Sequence, residues 1–434
     1  MGDLLAALIY VGPFAVALAA YAYYRERASS RANAIRVEAE EAGLTEPASL
    51  HPHIELSLCC GSAACVAACP EKDVIGIVNG KAQLIDPTAC IGHGACADAC
   101  PTRAITLVFG SETRGVELPV VSPTFETNVP GIFIAGELGG MGLIRNAVEQ
   151  GQQAIEAIGR LPRARAAGVL DVLIVGAGPA GFSASLAAKE RGLNFRTIEQ
   201  DTFGGTVAHF PRGKLVMTKP ARLPLVGLMK FSEVSKESLL DFWKEAKRTA
   251  GIDIHYEERL EGVTATRDGF AARTTAGVYQ TRAILLAIGR RGSPRHLNVP
   301  GEDLSKVVYR MVDPLQFMNK AVLVVGGGDS ALEAAATLAE ETNATVTLSY
   351  RGEAFQRARR RNRSRIELAA QNGKLHLHLA SEVLGITPSR VQLRLTRGLV
   401  ELHNDAVIVC AGGILPTPFL KSLGIEVHTK FGEA

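Results

Sequence analysis

After Cys100 the chain contains one cysteine, Cys410, so no dithiol pair can form anywhere in residues 101–434. A single cysteine inside an apolar strand (406–410) reads as structural. An excess of charge is also missing. The 47 Lys and Arg nearly balance the 44 Asp and Glu, and a net charge of +3 gives no argument for nucleic acid as a partner. Residues 4–24 carry no charge at all, a length that matches one bilayer crossing as a helix. Asp3 precedes this run, and Arg25, Arg27, Arg31 and Arg36 follow it. A secretory signal would carry its positive charge before the apolar run. The positive-inside rule therefore places the N-terminus outside and everything after residue 25 in the cytoplasm, as a single-pass protein of the inner (cytoplasmic) membrane. Gly12 and Pro13 interrupt the run, so a buried or interfacial helix stays open as the alternative.

The cysteines that are present cluster. Cys59, Cys60, Cys65, Cys69, Cys90, Cys96 and Cys100 occupy a short stretch of a 434-residue chain, which reads as metal ligation and not as a disulfide framework. Two runs repeat: Cys59 to Pro70 and Cys90 to Pro101. Each fits the bacterial two-cluster ferredoxin pattern C-x2-C-x2-C-x3-C-P at its first, third and fourth cysteines. At the second position stand Ser62 and His93. In that pattern the fourth cysteine of each run serves the other cluster, giving Cys59, Cys65 and Cys100 for one and Cys90, Cys96 and Cys69 for the other. The missing second cysteines leave a 4Fe-4S cluster with a non-cysteine ligand, or a 3Fe-4S cluster. His93 is a competent iron ligand, Ser62 a poorer one, and Cys60 could take its place after a small loop shift. Zinc, which takes two close ligand pairs, fits these frames badly. A reducing cytoplasm suits thiolate-ligated iron.

Strands and helices alternate from residue 171 onward in the manner of βαβ units. An apolar strand (172–175) runs into Gly176-Ala177-Gly178-Pro179-Ala180-Gly181 and then an Ala-rich helix. The first glycine makes the tight turn, the second admits a pyrophosphate at the helix N-terminus, and the third lets helix and strand pack. The next strand ends at Glu199, an acid placed to hydrogen-bond an adenosine ribose. A second unit repeats the design. The strand 321–325 leads into Gly326-Gly327-Gly328-Asp329-Ser330-Ala331, and the strand 345–349 ends at Tyr350-Arg351. No acid stands at that tip. Arg351, with Arg357 as a second candidate, suits the 2′-phosphate of NADP, whereas Glu353 keeps NAD open. The basic run 357–365 reads as a solvated helix face, or as a docking surface for an acidic partner or anionic lipid.

Together with Gly204-Gly205-Thr206 and Ala287-Ile288-Gly289, these motifs resemble the thioredoxin-reductase-like flavoproteins, including the bacillithiol-disulfide-reductase-like branch. The resemblance implies FAD on the first glycine triplet and NAD(P)H on the second. It also covers residues 115–160, but out of order. Residues 127–137 (TNVPGIFIAGE) look like the family's C-terminal flavin motif T-x-x-P-G-x-x-A-x-G-D, which here precedes the first triplet. This implies a circular permutation. Gly136 and Glu137 would then face the flavin's ribityl chain or pyrophosphate, and Arg145, Asn146 and Ala147 would pass along its ring. Lys214 or His209 could tune the flavin or simply close its pocket.

The expected fold class is α/β: two Rossmann-like three-layer (ββα) nucleotide-binding domains, a small α+β ferredoxin domain and an N-terminal transmembrane helix. The expected segments are an anchor (1–25), a helical or loose juxtamembrane linker (26–50), a two-cluster domain (51–110), a permuted part of the FAD domain (111–160), the FAD domain proper (168–290), the NAD(P) domain (291–410) and a return segment (411–434). The expected cofactors are FAD, NADP or NAD, and two iron–sulfur clusters. The expected activity is electron transfer between NAD(P)H, FAD and the clusters, with no general acid or base. The partner would be a quinone-linked or cytochrome component of the membrane, or a ferredoxin; lipid contact runs through the N-terminal helix, and a homodimer stays open. A membrane-tethered redox sensor and a quinone reductase with structural clusters are the alternatives.

Overall fold

The computed structural model describes residues 2–41, 44–47, 50–112, 115–140, 142–162, 168–210, 212–217, 220–231, 233–355 and 358–433, with backbone alone for residues 2–11 and 217. The chain divides into two compact units, Met1–Val116 with Lys430–Ala434, and Glu117–Thr429.

The first unit opens with one long helix, Gly2–Glu41. Among the described residues no helix is long and apolar enough to cross a membrane. The first part of the expected anchor lies outside the described side chains. Phe14, Val16, Leu18, Tyr21, Tyr23 and Tyr24 on the following turns are exposed. Residues 26–41, expected as a helical or loose stalk, continue the same helix. Its last turns are held by small residues: Ala32 is buried with Val78 and Ile85. Ala32 comes so close to Gly76 that a Cβ there would sit 2.6 Å from the alanine's own.

Two antiparallel strand pairs follow: His51–Ile54 with Ile105–Val108, and Ile75–Val78 with Lys81–Leu84. Two short helices, Ala64–Ala68 and Ala95–Asp98, each start after a left-handed residue, Ala63 and Gly94. The sequence repeat is therefore a structural repeat. Gly61 and Gly92 occupy matching places with positive φ, and a Cβ on either would strike a backbone oxygen, that of Gly80 at 2.1 Å or of Leu50 at 2.6 Å. Cys59, Cys65 and Cys96 are buried with Val74, Ile75, Ala82, Ala104 and Ile105.

The second unit carries a mixed sheet and a parallel one. In the first, Val278–Leu286 pairs in parallel with Leu170–Val175, which pairs with Phe195–Ile198. The antiparallel strands Leu260–Thr266 and Gly269–Thr274 extend it. The strand Ile132–Ile134 also joins this sheet, parallel to Val278–Leu286 with Ile134 opposite Leu286. The helix Ile144–Arg160 then packs its Ala147, Ala154, Ile155 and Ile158 against Ala180, Ala184, Ala187 and Ala188 of the helix Pro179–Glu190. Close approach is possible because Gly151 lacks a side chain; a Cβ would lie 2.2 Å from the carbonyl oxygen of Ala180.

The second sheet runs in parallel through Val307–Val308, Ala406–Val409, Ala321–Val325, Thr345–Ser349 and Leu375–His378. The helices Asp329–Glu341 and Arg360–Gln371 cover one face. The antiparallel trio Glu382–Ile386, Arg390–Leu395 and Gly398–His403 supplies Val383, Val391 and Leu393 to the other, beside Leu323 and Val407. That is a three-layer ββα arrangement.

The chain after residue 411 returns to the first sheet. Leu420 and Ile425 are buried with Ile132, Ile134 and Ile284. Asn128 donates to the Gly424 carbonyl at 2.9 Å and accepts from the Glu426 N–H at 2.9 Å. The last residues depart from the expected return segment, because Glu433 and Gly432 bond to the backbone of Phe109 at 2.8 and 2.9 Å.

Two glycines of one helix should respond oppositely to alanine. Gly151→Ala should lower stability by about 1–3 kcal/mol through overpacking. Gly159→Ala, where the nearest atom to the new methyl is Arg191 Cδ at 3.9 Å, should raise it, by up to about 1 kcal/mol from helix propensity. Thermal unfolding of the flavin-loaded protein measures both.

Candidate functional site

Two small cavities lie in the first unit. One is lined by Cys69, Cys90, Cys96, Ile91, His93 and Glu71. The other is lined by Cys59, Cys60, Ser62, Cys65 and Cys100. The last cysteine of each run thus crosses to the cavity of the other. Burial pushes the thiols of Cys65, Cys69 and Cys90 up, and that of Cys96 up to about 11. At Cys100 burial also pushes upward but is outweighed by the Thr102 hydroxyl and the N–H groups of Ala104 and Thr102, so its thiol lies below the usual range. The N–H of Ala104 donates to Cys100 Sγ at 3.2 Å, and that of Ala82 to Cys59 Sγ at 3.4 Å. Bonds of this kind tune an iron–sulfur centre.

Among the described residues no three Cys, His, Asp or Glu converge on a single metal ion. A zinc site would need that convergence. Three cysteines drawn from both runs around each cavity fit instead an inorganic core that holds its thiolates apart.

In the second unit the first glycine loop is shaped by close backbone contacts. Gly176 has φ 105°, and a Cβ would lie 2.5 Å from the Ala287 carbonyl oxygen; at Gly181 it would overlap the Gly176 carbonyl oxygen. Gly178 differs: its nearest atom is Gly205 Cα at 3.8 Å. That open face, below the N-terminus of the helix Pro179–Glu190, is a cradle for a pyrophosphate. Gly204 and Gly205, both at positive φ, form the wall opposite Gly178, with Thr206 on the same turn.

Glu199 lies at the strand tip, where its carboxylate accepts from the N–H of Ala177 at 2.7 Å and of Asp201 at 2.9 Å. Burial raises its pKa, and these N–H groups partly offset the rise.

The out-of-order motif arrives at the same place. Gly136, φ 85°, sits where a Cβ would be 3.1 Å from Ala180 Cβ and 3.8 Å from Ala147 Cβ. Its N–H donates to Gln150 at 2.8 Å. Burial raises the pKa of Glu137, and Arg291 and Arg290 draw it back down. Arg145 is turned to the helix surface, paired with Glu149 at 2.9 Å; Asn146 is half-buried and Ala147 buried. Gln150, Arg290 and Arg291 were not apparent as site residues, since none lies within a recognisable motif.

At the second loop, Gly326 has φ 142° and a Cβ there would lie 2.4 Å from the Cys410 carbonyl oxygen. Gly328 faces open space and Ser330 is exposed at the helix start. Asp329 has a structural engagement: it accepts from the Arg359 N–H at 2.8 Å and the Asn362 side chain at 2.9 Å, tying the loop to the basic helix. Arg351 is exposed beyond the strand tip, whereas Arg357 lies outside the described residues. Tyr350 stacks on Phe355, centroids 5.5 Å apart, and fills the space over Gly327. The basic run is partly neutralised, Arg365 by Glu340 at 2.6 Å and Arg359 by Asp329 at 3.5 Å.

Ion pairs join the two nucleotide-binding parts of this unit. Asp201 meets Arg310 of the other part at 3.0 Å, and His209 of its own part also at 3.0 Å. Lys214, considered as a flavin-tuning residue, pairs with Glu333. Burial, then Arg310, lowers the pKa of His209.

A glycine-cradled dinucleotide site on each of two sheets defines a two-domain flavin and nicotinamide oxidoreductase. A profile of the pyridine nucleotide-disulphide oxidoreductase family matches residues 173–432, and the chain belongs to that family. A 4Fe-4S dicluster domain profile matches residues 51–101. Ferredoxin–NADP reductase of Ignicoccus hospitalis is 29% identical, over 60% of this chain and 83% of that protein. The enzyme of the same description from Thermus thermophilus is 30% identical, over 59% and 77%. Bacilliredoxin reductase Bdr of Bacillus subtilis is 26% identical, over 60% and 82%. In fold, the chain is similar to the bacillithiol disulfide reductase of Staphylococcus aureus, with a TM-score of 0.50 at 24% identity over 59% and 80%. The protein is therefore an FAD-dependent oxidoreductase that uses NAD(P) and carries iron–sulfur clusters.

Glu199→Ala removes the acceptor of two N–H groups on the loop that holds the cofactor. It should weaken FAD binding by about 1–3 kcal/mol, roughly tenfold to a hundredfold in Kd, in fluorescence titration of flavin-free protein.

Proposed function

We propose that this protein passes electrons from NADPH, through FAD, to its two iron–sulfur clusters and on to a redox partner at the cytoplasmic face of the membrane. The observation that carries this reading is the coexistence of a two-nucleotide reductase with two cysteine-lined cavities in a chain lacking any dithiol after residue 100. FAD, when bound, accepts two electrons as a hydride and releases them singly, as iron–sulfur clusters require. The chain's own residues bind and orient. The loop around Gly178 takes the pyrophosphate, Glu199 the ribose, and the segment 131–147 lies along the flavin. On the resemblance to family members, that segment is a circularly permuted C-terminus, which accounts for its interlock with residues 417–426.

The donor is NADPH on the strength of exposed Arg351 at a strand tip without an acid. Lipid anchoring rests on the uncharged run 4–24, with arginines only behind it, and on the exposed apolar side chains between Phe14 and Tyr24. The anchor favours a membrane component, quinone-linked or cytochrome, as the acceptor; the ferredoxin–NADP reductase relatives make a ferredoxin the next choice.

Anaerobic titration of the purified protein with NADPH, followed by EPR, should show reduced clusters after the flavin bleaches. Iron that stays oxidised under excess NADPH sinks the proposal. Arg351→Glu should shift the ratio of kcat/KM for NADPH over NADH by at least about tenfold toward NADH, the equivalent of roughly 1.4 kcal/mol; an unchanged ratio removes Arg351 from the site.

A further inference from the structure

The two cavities are built on one repeat, yet they differ at two positions. Counting from the first cysteine of each run, the next residue and the third residue both line the cavity: Cys60 and Ser62 in one, Ile91 and His93 in the other. Gly61 and Gly92 stand between them, each locked against a neighbouring backbone oxygen, so the two turns share one path. Each cavity therefore offers three cysteines, one of them crossing from the other run, and two further positions that reach it. Of these, Cys60 is a soft thiol and His93 an imidazole, both good donors to iron, whereas Ile91 has no donor atom. Ser62 is the weaker donor, and its hydroxyl already accepts from the Ala64 N–H at 3.4 Å. Glu71 also lines the second cavity, but a carboxylate suits harder ions than cluster iron.

We infer that the clusters are chemically distinct: Cys60 completes an all-cysteine four-iron centre with Cys59, Cys65 and Cys100, and His93 completes a three-cysteine, one-histidine centre with Cys69, Cys90 and Cys96. The assignment rests on the proposed cluster-bearing function and sets an order within it. As Cys60 Sγ binds iron its thiol proton leaves to solvent, and no electron changes hands. The neutral imidazole of His93 replaces a thiolate, which lowers the negative charge of its centre by one. Exchange of thiolate for histidine raises the potential of an iron–sulfur centre. Electrons therefore come to rest on the His93 centre, which is the terminal one.

The test uses the full chain, reconstituted anaerobically with iron and sulfide and carrying 15N-labelled histidine, and reads iron content and pulsed EPR. The parent protein should show two four-iron centres, one with strong histidine nitrogen coupling. His93→Cys should keep its iron, lose that coupling and move the more easily reduced centre to a lower potential. Cys60→Ala should lose one iron per chain and gain the oxidised-state signal of a three-iron centre, whereas Ser62→Ala and Glu71→Gln should leave iron content and coupling unchanged. Bound flavin in each variant reports that the rest of the chain is folded. Nitrogen coupling that persists in His93→Cys, a three-iron signal already in the parent, or iron loss in Ser62→Ala but not in Cys60→Ala overturns the assignment. A flavin-loaded parent that takes up no iron and sulfide overturns the cluster-bearing function itself.

Discussion

In the flavin-binding half the structure depends on how closely backbone can approach the first turn of the helix Pro179–Glu190. The Ala180 carbonyl lies against Gly151, its methyl against Gly136, and Gly181 lies on the Gly176 carbonyl. Gly176 in turn rests on the Ala287 carbonyl at the end of the central strand. At Gly151, Gly176 and Gly181 the contact forbids a side chain, because a Cβ would overlap backbone that cannot move without breaking the local structure; at Gly136 the φ of 85° favours glycine. This packing leaves Gly178 uncrowded, with Gly205 Cα the nearest atom to its open face, and it brings the strand Ile132–Ile134 and the helix Ile144–Arg160 beside it. Peptide order matters little to such a site, whereas steric fit at these glycines matters a great deal.

The iron–sulfur unit is organised by a different constraint. Its small apolar core is largely cysteine and short aliphatic side chains, and several thiols are held above their usual pKa by burial. Buried thiols of that kind are poor anions alone, and a cationic iron core reverses the preference by deprotonating its ligands. Metal loading therefore takes the protons off these thiols, and N–H groups are already directed at the sulfurs of Cys59 and Cys100.

Between the two nucleotide-binding parts lie partly solvated ion pairs: Asp201 with Arg310, and Lys214 with Glu333. Pairs with this degree of exposure contribute only about 0–1 kcal/mol each. They orient the two parts without locking them, as expected where a nicotinamide must reach a flavin and then leave.

Much of the local chemistry was legible in the sequence. Cysteine spacing anticipated which three cysteines share each cavity, and strand–glycine–helix patterns anticipated both tight loops, because each depends on short-range backbone geometry that a few consecutive residues dictate. The displaced segment 127–137 resembled the family's flavin motif, and its Gly136 packs beside Ala180 on the first nucleotide loop's helix. Folding decided what depends on residues remote in the chain. Asp329 was drawn to Arg359 and Asn362, Lys214 to Glu333, and Arg145 to the helix surface, as charged side chains satisfied the nearest partner that packing supplied. Cys60 and His93 each line the cavity of their own run, as the spacing implies, whereas the neighbours they meet there from the other run, Glu71 beside His93 and Thr102 beside Cys60, were set by tertiary structure.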